Sequence, residues 1–187
     1  PGAGDTGGAI QALNYAAARG AKIINASWGG PTCSNILQAT IENLSEQGLL
    51  IVVAAGNDGN DLDTMPEYPA VDQVPGQITV AAIRSSGFMD VYSNTSFNFV
   101  HIAAPGTGIL STVIDHGTAL MSGTSMATPF VSGAAALLWG LRPQATAADI
   151  KSALLKSVDT GPYRVSSQGR LNVRKAVDEI KRMYTPP

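Results

Sequence analysis

The sequence predicts an α/β fold, in which a mostly parallel β-sheet is covered by helices on both faces. Short apolar runs rich in Val, Ile and Ala alternate along the chain with segments of helical spacing, and this alternation calls for a parallel sheet between two helical layers. Hydrophobic residues make up 44% of the chain and charged residues 14%, as in a compact, ordered domain. No internal repeat or low-complexity linker is present, so we expect residues 1–187 to form one structural unit.

Two helix–strand pairs are predicted in the first half of the chain. Apolar residues recur at helical spacing over residues 8–19 and 35–47, and a glycine follows each segment as a stop. A short β-branched apolar run over residues 21–26 and a nearly continuous apolar run over residues 49–55 are predicted to be buried strands. Residues 56–76 are rich in Gly, Asp and Pro and are predicted to form a loop.

The second half of the chain is predicted to add strands, a hairpin and three helices. In order, these are strands over residues 77–83 and 99–103, a hairpin over 110–118, and helices over 125–141, 146–157 and 173–183. Functional residues of parallel sheets gather at the carboxyl ends of the strands. Residues 27–29, residues 56–57 and the entry to the helix at Ser125 are therefore expected to converge on one edge of the sheet.

Charge and hydropathy argue against several classes of function. The net charge is −2 and no basic run is present, so we expect no nucleic-acid partner. The richest apolar run, Gly133–Trp139, is too short to cross a membrane. The one cysteine, Cys33, cannot form an internal disulfide, and no base lies near it in the sequence.

The segment Gly123–Pro129 carries the strongest chemical pattern. A glycine allows a sharp turn, and Ser125 then lies in the first turn of a long helix of small apolar residues. Free N–H groups and the positive dipole end at a helix N-terminus favour a developing negative charge. Taken alone, the pattern fits a nucleophile or a capping Ser or Thr equally well.

Four segments together resemble the subtilisin-like serine proteases. Gly-Thr-Ser-Met-Ala-Thr-Pro is similar to the nucleophile motif of that family, and three further matches follow the family's order: residues 24–30, 52–57 and 103–106. The resemblance implies a three-layer subtilisin-like fold and a serine endopeptidase that forms an acyl-enzyme on Ser125. It also implies that Asn57 donates to the oxyanion together with the Ser125 N–H. The alternative for Asn57 is a turn residue, since Asp58-Gly59 follows it.

The resemblance further identifies residues that bind substrate. Ser27, Trp28 and Gly29 look like the segment that pairs with the substrate backbone as an added strand, and Ala55, Gly56 and Thr124 are similar to residues lining the same groove. The family more often carries a smaller apolar residue where Trp28 stands, so the neighbouring pocket is expected to be narrower or more aromatic. The alternative for Trp28 is a core tryptophan.

Tyr68-Pro69 resembles the turn that holds a cis proline beside the family's first specificity pocket. If so, Glu67 lies at the base of that pocket and Asp58 at its rim. Two carboxylates there would favour Lys or Arg before the scissile bond. The alternative is a pair of solvated carboxylates in an acidic loop.

The family's catalytic aspartate and histidine motifs have no convincing match. Asp5-Thr6-Gly7 mimics the aspartate motif but follows no apolar strand, and His116-Gly117-Thr118 mimics the histidine motif without a helix after it. His101 lies in a predicted strand. The chain is therefore expected to correspond to the C-terminal two thirds of the domain, without its N-terminal strands, and to be incomplete alone. A second chain carrying the catalytic Asp and His is expected, with a truncated polypeptide as the other explanation.

The absent motifs leave a second reading open, that of a catalytically inert pseudoprotease or peptide-binding domain. The resemblance implies no catalytic cofactor, a secreted location, and a structural calcium ion bound by the acidic loop at residues 58–67 or by carbonyls near Asp72. No spacing matches a defined metal-binding motif, so no metal ligands are predicted. The unpaired flank of residues 22–26 is expected to invite association.

Overall fold

The computed structural model describes residues 4–114 and 116–184, and its centre is a six-stranded sheet in the order β1-β2-β3-β4-β8-β7. The strands are β1 (Ile23–Ala26), β2 (Leu50–Ala54), β3 (Gln77–Ile83), β4 (Ile102–Pro105), β7 (Asp159–Thr160) and β8 (Gly169–Arg170). Strands β1 to β4 and β8 run parallel, and β7 pairs antiparallel with β8. The predicted mostly parallel sheet is thus confirmed. The predicted unit over residues 1–187 includes residues 1–3, 115 and 185–187, which lie outside the described residues.

Five helices and one hairpin surround this sheet in the described part of the chain. The helices are α1 (Thr6–Ala18), α2 (Asn35–Glu46), α3 (Thr124–Leu141), α4 (Ala147–Lys156) and α5 (Val173–Met183), and the hairpin is formed by β5 (Ile109–Thr112) and β6 (Thr118–Met121). Each helix lies within two residues of its predicted bounds. Among the described helices, none has the combination of length and hydropathy needed to cross a bilayer.

The side chains of the central strands divide between two cores. Val52 and Val80 pack in one core with Val131 of α3, and helices α4 and α5 complete that layer. Ile51 and Val53, which alternate with them along β2, belong to the other core together with α1 and α2. Successive strand residues point to opposite faces, so a continuous apolar strand contributes side chains to the cores on both faces of the sheet. The three-layer arrangement follows from this alternation.

The strand β1 lies at one edge of the sheet. Among the described strands it pairs with β2 alone, so the expected unpaired flank of residues 22–26 is present in this part of the chain. Helix α3 contacts this edge through Ser132, whose hydroxyl donates to Asn25 Oδ1 at 2.9 Å. The same helix exposes a stripe of small and apolar residues at helical spacing, namely Pro129, Phe130, Gly133, Ala136, Leu137 and Gly140. An unpaired strand edge and an uncovered helix face therefore occur together.

The start of β4 depends on the imidazole of His101. Its Nδ1 atom accepts a hydrogen bond from the Thr79 N–H at 2.9 Å, while the His101 N–H donates to the Thr79 carbonyl at 2.8 Å. The ring nitrogen takes the place of a strand carbonyl, and the regular β3–β4 register begins only with Val80 and Ile102. The strand predicted over residues 99–103 is therefore shifted towards the C-terminus.

Acidification is expected to destabilise the fold through His101. Burial, with a smaller contribution from the charge of Lys151, lowers the pKa of His101 from 6.5 to about 3. The unfolded chain binds a proton that the folded chain excludes, so this contribution to stability is complete above about pH 6.5 and is lost as the pH falls towards 3. One such proton changes the free energy of unfolding by about 1.4 kcal/mol per pH unit, which urea titrations at acidic pH would measure.

Two asparagine variants isolate this effect from the other titrating groups. His101→Asn keeps an acceptor but cannot take up the proton, so its pH slope should be smaller than that of the wild type by about 1.4 kcal/mol per unit. His116→Asn is the matched control, because His116 is exposed and has a φ of 61°, which asparagine tolerates. Equal slopes for the wild type and His101→Asn would contradict the assignment.

Candidate active site

Ser125 lies at the second position of α3, half-buried beneath the end of β1. The residue that caps the helix is Gly123, which provides no side-chain hydrogen bond, so neither Ser125 nor Thr124 caps the helix. The Ser125 hydroxyl donates to the Ser27 carbonyl at 3.1 Å, and the Ser27 hydroxyl donates to the Ser125 carbonyl at 2.9 Å. This pair of hydrogen bonds joins the candidate nucleophile to the segment that follows β1.

Asn57 follows β2 and is oriented by the first residue of α3. Its Oδ1 atom accepts from the Thr124 N–H at 2.8 Å and from the Thr124 hydroxyl at 3.1 Å. The Asn57 Nδ2 donors consequently turn away from Thr124, and they meet no hydrogen-bond acceptor among the described residues. The Ser125 N–H has no acceptor in this part of the chain either. Two unused donors thus lie next to one helix N-terminus, where the backbone dipole favours negative charge.

The buried side chain of Thr124 also fixes the end of β2. Its hydroxyl accepts from the Gly56 N–H at 3.1 Å. Gly56 has a φ of +100°, and a Cβ there would lie 2.3 Å from Asn94 Nδ2. Only glycine fits this close approach, so the turn from Ala55 to Asn57 is held against α3 by its backbone.

Asn94 supports the candidate site and was missed by the sequence analysis. Its side chain is fully buried; Nδ2 donates to the Ala55 carbonyl at 3.0 Å, and Oδ1 accepts from the N–H groups of Asp58 at 3.1 Å and Asn60 at 2.8 Å. One amide thereby holds both sides of the turn that carries Asn57. No local pattern could have identified it, because Asn94 lies in a loop far along the chain and meets the turn only in the folded protein.

Trp28 and Gly29 of the segment Ser27–Gly29 border an open cavity of about 650 Å³. Trp28 is 39% exposed and lines this cavity together with Gly29 and Tyr68. The alternative of a core tryptophan is therefore wrong, and the cavity has an aromatic wall. A second cavity, of about 350 Å³, is lined by Lys22, Leu49 and Trp139 around the amino ends of β1 and β2, and none of the candidate site residues borders it.

Glu67 places its carboxylate between the two chain segments of the site. A Cβ on Gly29 would lie 3.1 Å from one carboxylate oxygen, and a Cβ on Gly56 would lie 3.0 Å from the other. The carboxylate is half-buried and has neither a hydrogen bond nor an ion pair among the described residues. Burial, followed by the charge of Asp58, raises the pKa of Glu67. A partly desolvated carboxylate without a cation is therefore available at this point.

The neighbouring turn has the conformation that the resemblance implies. The Tyr68–Pro69 peptide bond is cis. Tyr68 and Gly30 exchange two backbone hydrogen bonds, at 2.9 and 2.8 Å. These bonds hold the Glu67 turn against the segment after β1. The second carboxylate expected at the pocket, that of Asp58, is exposed to solvent.

The remaining titratable candidates lie in other places. Asp5 caps α1, accepting from the Gly8 N–H at 2.8 Å. His116 lies exposed in the β5–β6 hairpin, and His101 is bonded to β3. Since the Ser125 hydroxyl is bonded to the Ser27 carbonyl, no described histidine or carboxylate accepts its proton.

The acidic loop does not form a carboxylate-lined calcium site. Asp61 forms an ion pair with Arg164, and Asp63 accepts hydrogen bonds from Ser96 at 2.9 Å and Asn98 at 3.0 Å. Among the described residues, no group of three or more His, Cys, Asp or Glu side chains could hold a metal ion. These carboxylates are therefore engaged by protein groups, and a structural calcium ion stays a prediction of the resemblance.

Comparisons with known proteins identify the family of the chain. The family model described as the subtilase family matches residues 2–179. Subtilisin-like protease 2 of Plasmodium falciparum is 38% identical over 137 residues, covering 71% of this chain and 10% of that protein. Thermitase of Thermoactinomyces vulgaris is 38% identical over 169 residues, covering 88% of this chain. The chain spans only 57% of the length of thermitase.

A solved structure of a protease domain has a similar fold. The S218A mutant of the protease domain of PatA matches with a TM-score of 0.84 and 30% identity, over 97% of this chain and 67% of that one. The three-layer subtilisin-like fold is thereby confirmed.

Proposed function

Because the chain belongs to the subtilase family, we propose that it provides the nucleophile and the oxyanion site of a serine endopeptidase. Ser125 is the nucleophile, and its own N–H and the Asn57 side chain stabilise the oxyanion. The observation that carries this proposal is the pair of unused donors, Ser125 N–H and Asn57 Nδ2, beside a hydroxyl at a helix N-terminus. Donors that are already oriented need no reorganisation when charge develops.

The proposed reaction is acyl transfer without a catalytic cofactor. The Ser125 hydroxyl loses its proton to a general base as its oxygen attacks the scissile carbonyl carbon. The negative charge that develops on the carbonyl oxygen is bound by the two donors. The base then returns the proton to the leaving amine, and water hydrolyses the acyl-enzyme in a second, equivalent attack.

The general base is proposed to come from a segment outside this sequence, carried by a second chain or by the same polypeptide. The described residues place no base on the Ser125 hydroxyl. The free flank of β1 and the exposed stripe of α3 offer that segment a strand edge and an apolar face on which to pack. In the assembled protein we expect a catalytic aspartate and histidine at this edge.

The substrate is proposed to lie along Ser27–Gly29 and Ala55–Gly56, with Lys or Arg before the scissile bond. Glu67 supports this preference because its carboxylate lies between Gly29 and Gly56 and has no cationic partner in the part of the chain that the structure describes. The pKa of Glu67 is raised because burial disfavours the charged carboxylate while no cation is bound beside it. A substrate ammonium or guanidinium would supply that cation.

Glu67→Gln is expected to reduce the preference for basic side chains. The variant keeps the volume of Glu67 and removes its charge. A hydrogen bond to a charged group contributes about 1.5–3 kcal/mol. The ratio of kcat/KM for Lys over Leu peptides should therefore fall by about 10- to 100-fold. In the wild type the same ratio should fall as the pH drops through the pKa of Glu67.

Asp58→Asn provides the matched control for this measurement. Asp58 is exposed, so solvent and salt screen its charge, and its removal should change the ratio much less. An unchanged ratio in Glu67→Gln would mean that Glu67 does not select the substrate.

A catalytically inert peptide-binding domain is the second candidate. It is favoured by the absence of a base on Ser125 among the described residues. Such a protein would bind an extended basic peptide through the same groove, with no turnover.

A serine-directed fluorophosphonate distinguishes these two functions. Intact mass and a denaturing gel first establish whether a polypeptide carrying the N-terminal part of the domain accompanies the protein. Labelling that maps to Ser125 in the assembled protein is expected for the endopeptidase. No labelling in an assembly that contains the partner segment would leave the binding function. Secretion, which the resemblance implies, stays a prediction.

A further inference from the structure

The carbonyl of Gly106 receives two hydrogen bonds directly beside the nucleophile turn. The Gly123 N–H donates to it at 2.8 Å, and the Tyr92 hydroxyl donates to it at 3.1 Å. Gly106 follows β4, and Gly123 is the residue before α3. Tyr92 therefore contacts the same carbonyl that holds the entry to the Ser125 helix.

The approach of Gly106 to this turn leaves no space for a side chain. A Cβ on Gly106 would lie 2.6 Å from Ala82 Cβ, 2.8 Å from the Gly123 carbonyl oxygen and 3.1 Å from Ala127 Cβ. Real Cβ atoms do not approach other atoms so closely, so the two backbones are in direct contact. A displacement of the Gly106 carbonyl would be transmitted to Gly123.

A polar chain holds the Tyr92 hydroxyl in place. The Thr107 hydroxyl donates to Asp90 Oδ2 at 2.6 Å, so its oxygen is left as an acceptor 2.8 Å from the Tyr92 hydroxyl. The single Tyr92 hydrogen is therefore shared between the Gly106 carbonyl and the Thr107 oxygen in a three-centre hydrogen bond. The Asp90 N–H donates to the Ala82 carbonyl in β3 at 3.0 Å. The chain is thus anchored on a central strand. Burial raises the pKa of Tyr92, which keeps the hydroxyl protonated and able to donate.

Three consecutive N–H groups at the start of α3 have different partners. The first, on Gly123, is held by the Gly106 carbonyl, and the second, on Thr124, is held by Asn57. The third, on Ser125, is unused among the described residues. The Ser125 N–H belongs to the planar Thr124–Ser125 peptide and directly follows the two N–H groups that are held.

We propose that Tyr92, supported by Asp90 and Thr107, is a positioning residue for Ser125. It holds the Gly106 carbonyl against Gly123 and so aims the Ser125 N–H and hydroxyl without touching the substrate. This inference rests on the proposed endopeptidase function, which it extends to the support of the nucleophile turn. Small displacements of reacting groups are costly in rate.

Tyr92→Phe tests the proposal, with Tyr163→Phe as the matched control. Both variants remove only a hydroxyl that donates to a backbone carbonyl, since Tyr163 donates to Gly87 at 2.9 Å. Tyr92→Phe should lower kcat about three- to tenfold with little change in KM, whereas Tyr163→Phe should leave kcat unchanged. If Tyr92→Phe and Tyr163→Phe lower the thermal midpoint equally and both keep full kcat, the proposal is overturned.

Hydrogen exchange provides a readout that does not depend on turnover. The Gly123 amide should exchange faster in Tyr92→Phe than in the wild type, and it should be unchanged in Tyr163→Phe. An unaltered Gly123 amide in Tyr92→Phe would overturn the positioning role even in an inactive protein. A failure of the endopeptidase function is seen separately, as a wild-type assembly without hydrolysis.

Discussion

Ser125→Ala should abolish hydrolysis by the assembled protein, with kcat falling by about 10⁶-fold. This magnitude is the loss known for a related subtilisin and does not come from the present geometry. The physical reason is that the Ser125 hydroxyl lies on the residue whose own N–H is one of the two unused donors, whereas the neighbouring Thr124 hydroxyl is engaged by Asn57 Oδ1 and the Gly56 N–H. Rates with a chromogenic peptide, together with fluorophosphonate labelling, would measure the loss.

Ser132→Ala is the control for this variant, because it removes a hydroxyl from the same helix. The single Ser132 hydroxyl hydrogen is shared between Asn25 Oδ1 and the Thr128 carbonyl. The loss of this hydroxyl should affect stability slightly and leave kcat within about twofold. Retention of covalent labelling in Ser125→Ala would assign the nucleophile to another residue.

Asn57→Ala should lower kcat by about 10²–10³-fold, with a small change in KM. This range was measured for the equivalent donor in a related subtilisin. The donor Nδ2 acts on charge that develops only in the transition state, so its removal affects turnover more than ground-state binding. Asn57→Asp is the sharper variant, because it keeps the acceptor for Thr124 and exchanges the donor for an oxygen.

Asn60→Ala is the matched control in the same loop. No side-chain hydrogen bond of Asn60 exists among the described residues, so its removal should leave kcat unchanged. If Asn57 is only a turn residue, then Asn57→Ala will lower the free energy of unfolding and keep the rate per folded molecule.

Local sequence was sufficient for the elements with strong local patterns. Strand 77–83 and helix 173–183 have the predicted bounds in the structure, because a mostly apolar, β-branched run and a strongly amphipathic repeat each favour one conformation. The short strands β7 and β8 were missed, since two residues carry no periodicity. The strand predicted over residues 99–103 was misplaced because the His101 side chain bonds to β3.

The site residues likewise differ in whether local sequence or only the tertiary structure identifies their surroundings. The motif around Ser125 was recognisable because consecutive residues form the turn and the helix N-terminus. The surroundings of Glu67, by contrast, depend on Gly29 and Gly56, which lie on separate strand ends.

By itself, the sequence determined the family and the order of the helices and the longer strands, and it predicted the candidate nucleophile with its oxyanion partner, because each depends on short contiguous segments. Only the tertiary structure decided that Asn57 Oδ1 is engaged by Thr124 and that Asn94 holds the turn after β2. It alone also placed Tyr92 on the carbonyl that meets Gly123. These contacts join residues that are distant in the chain, and the packing of β-strands against α3 brings them together.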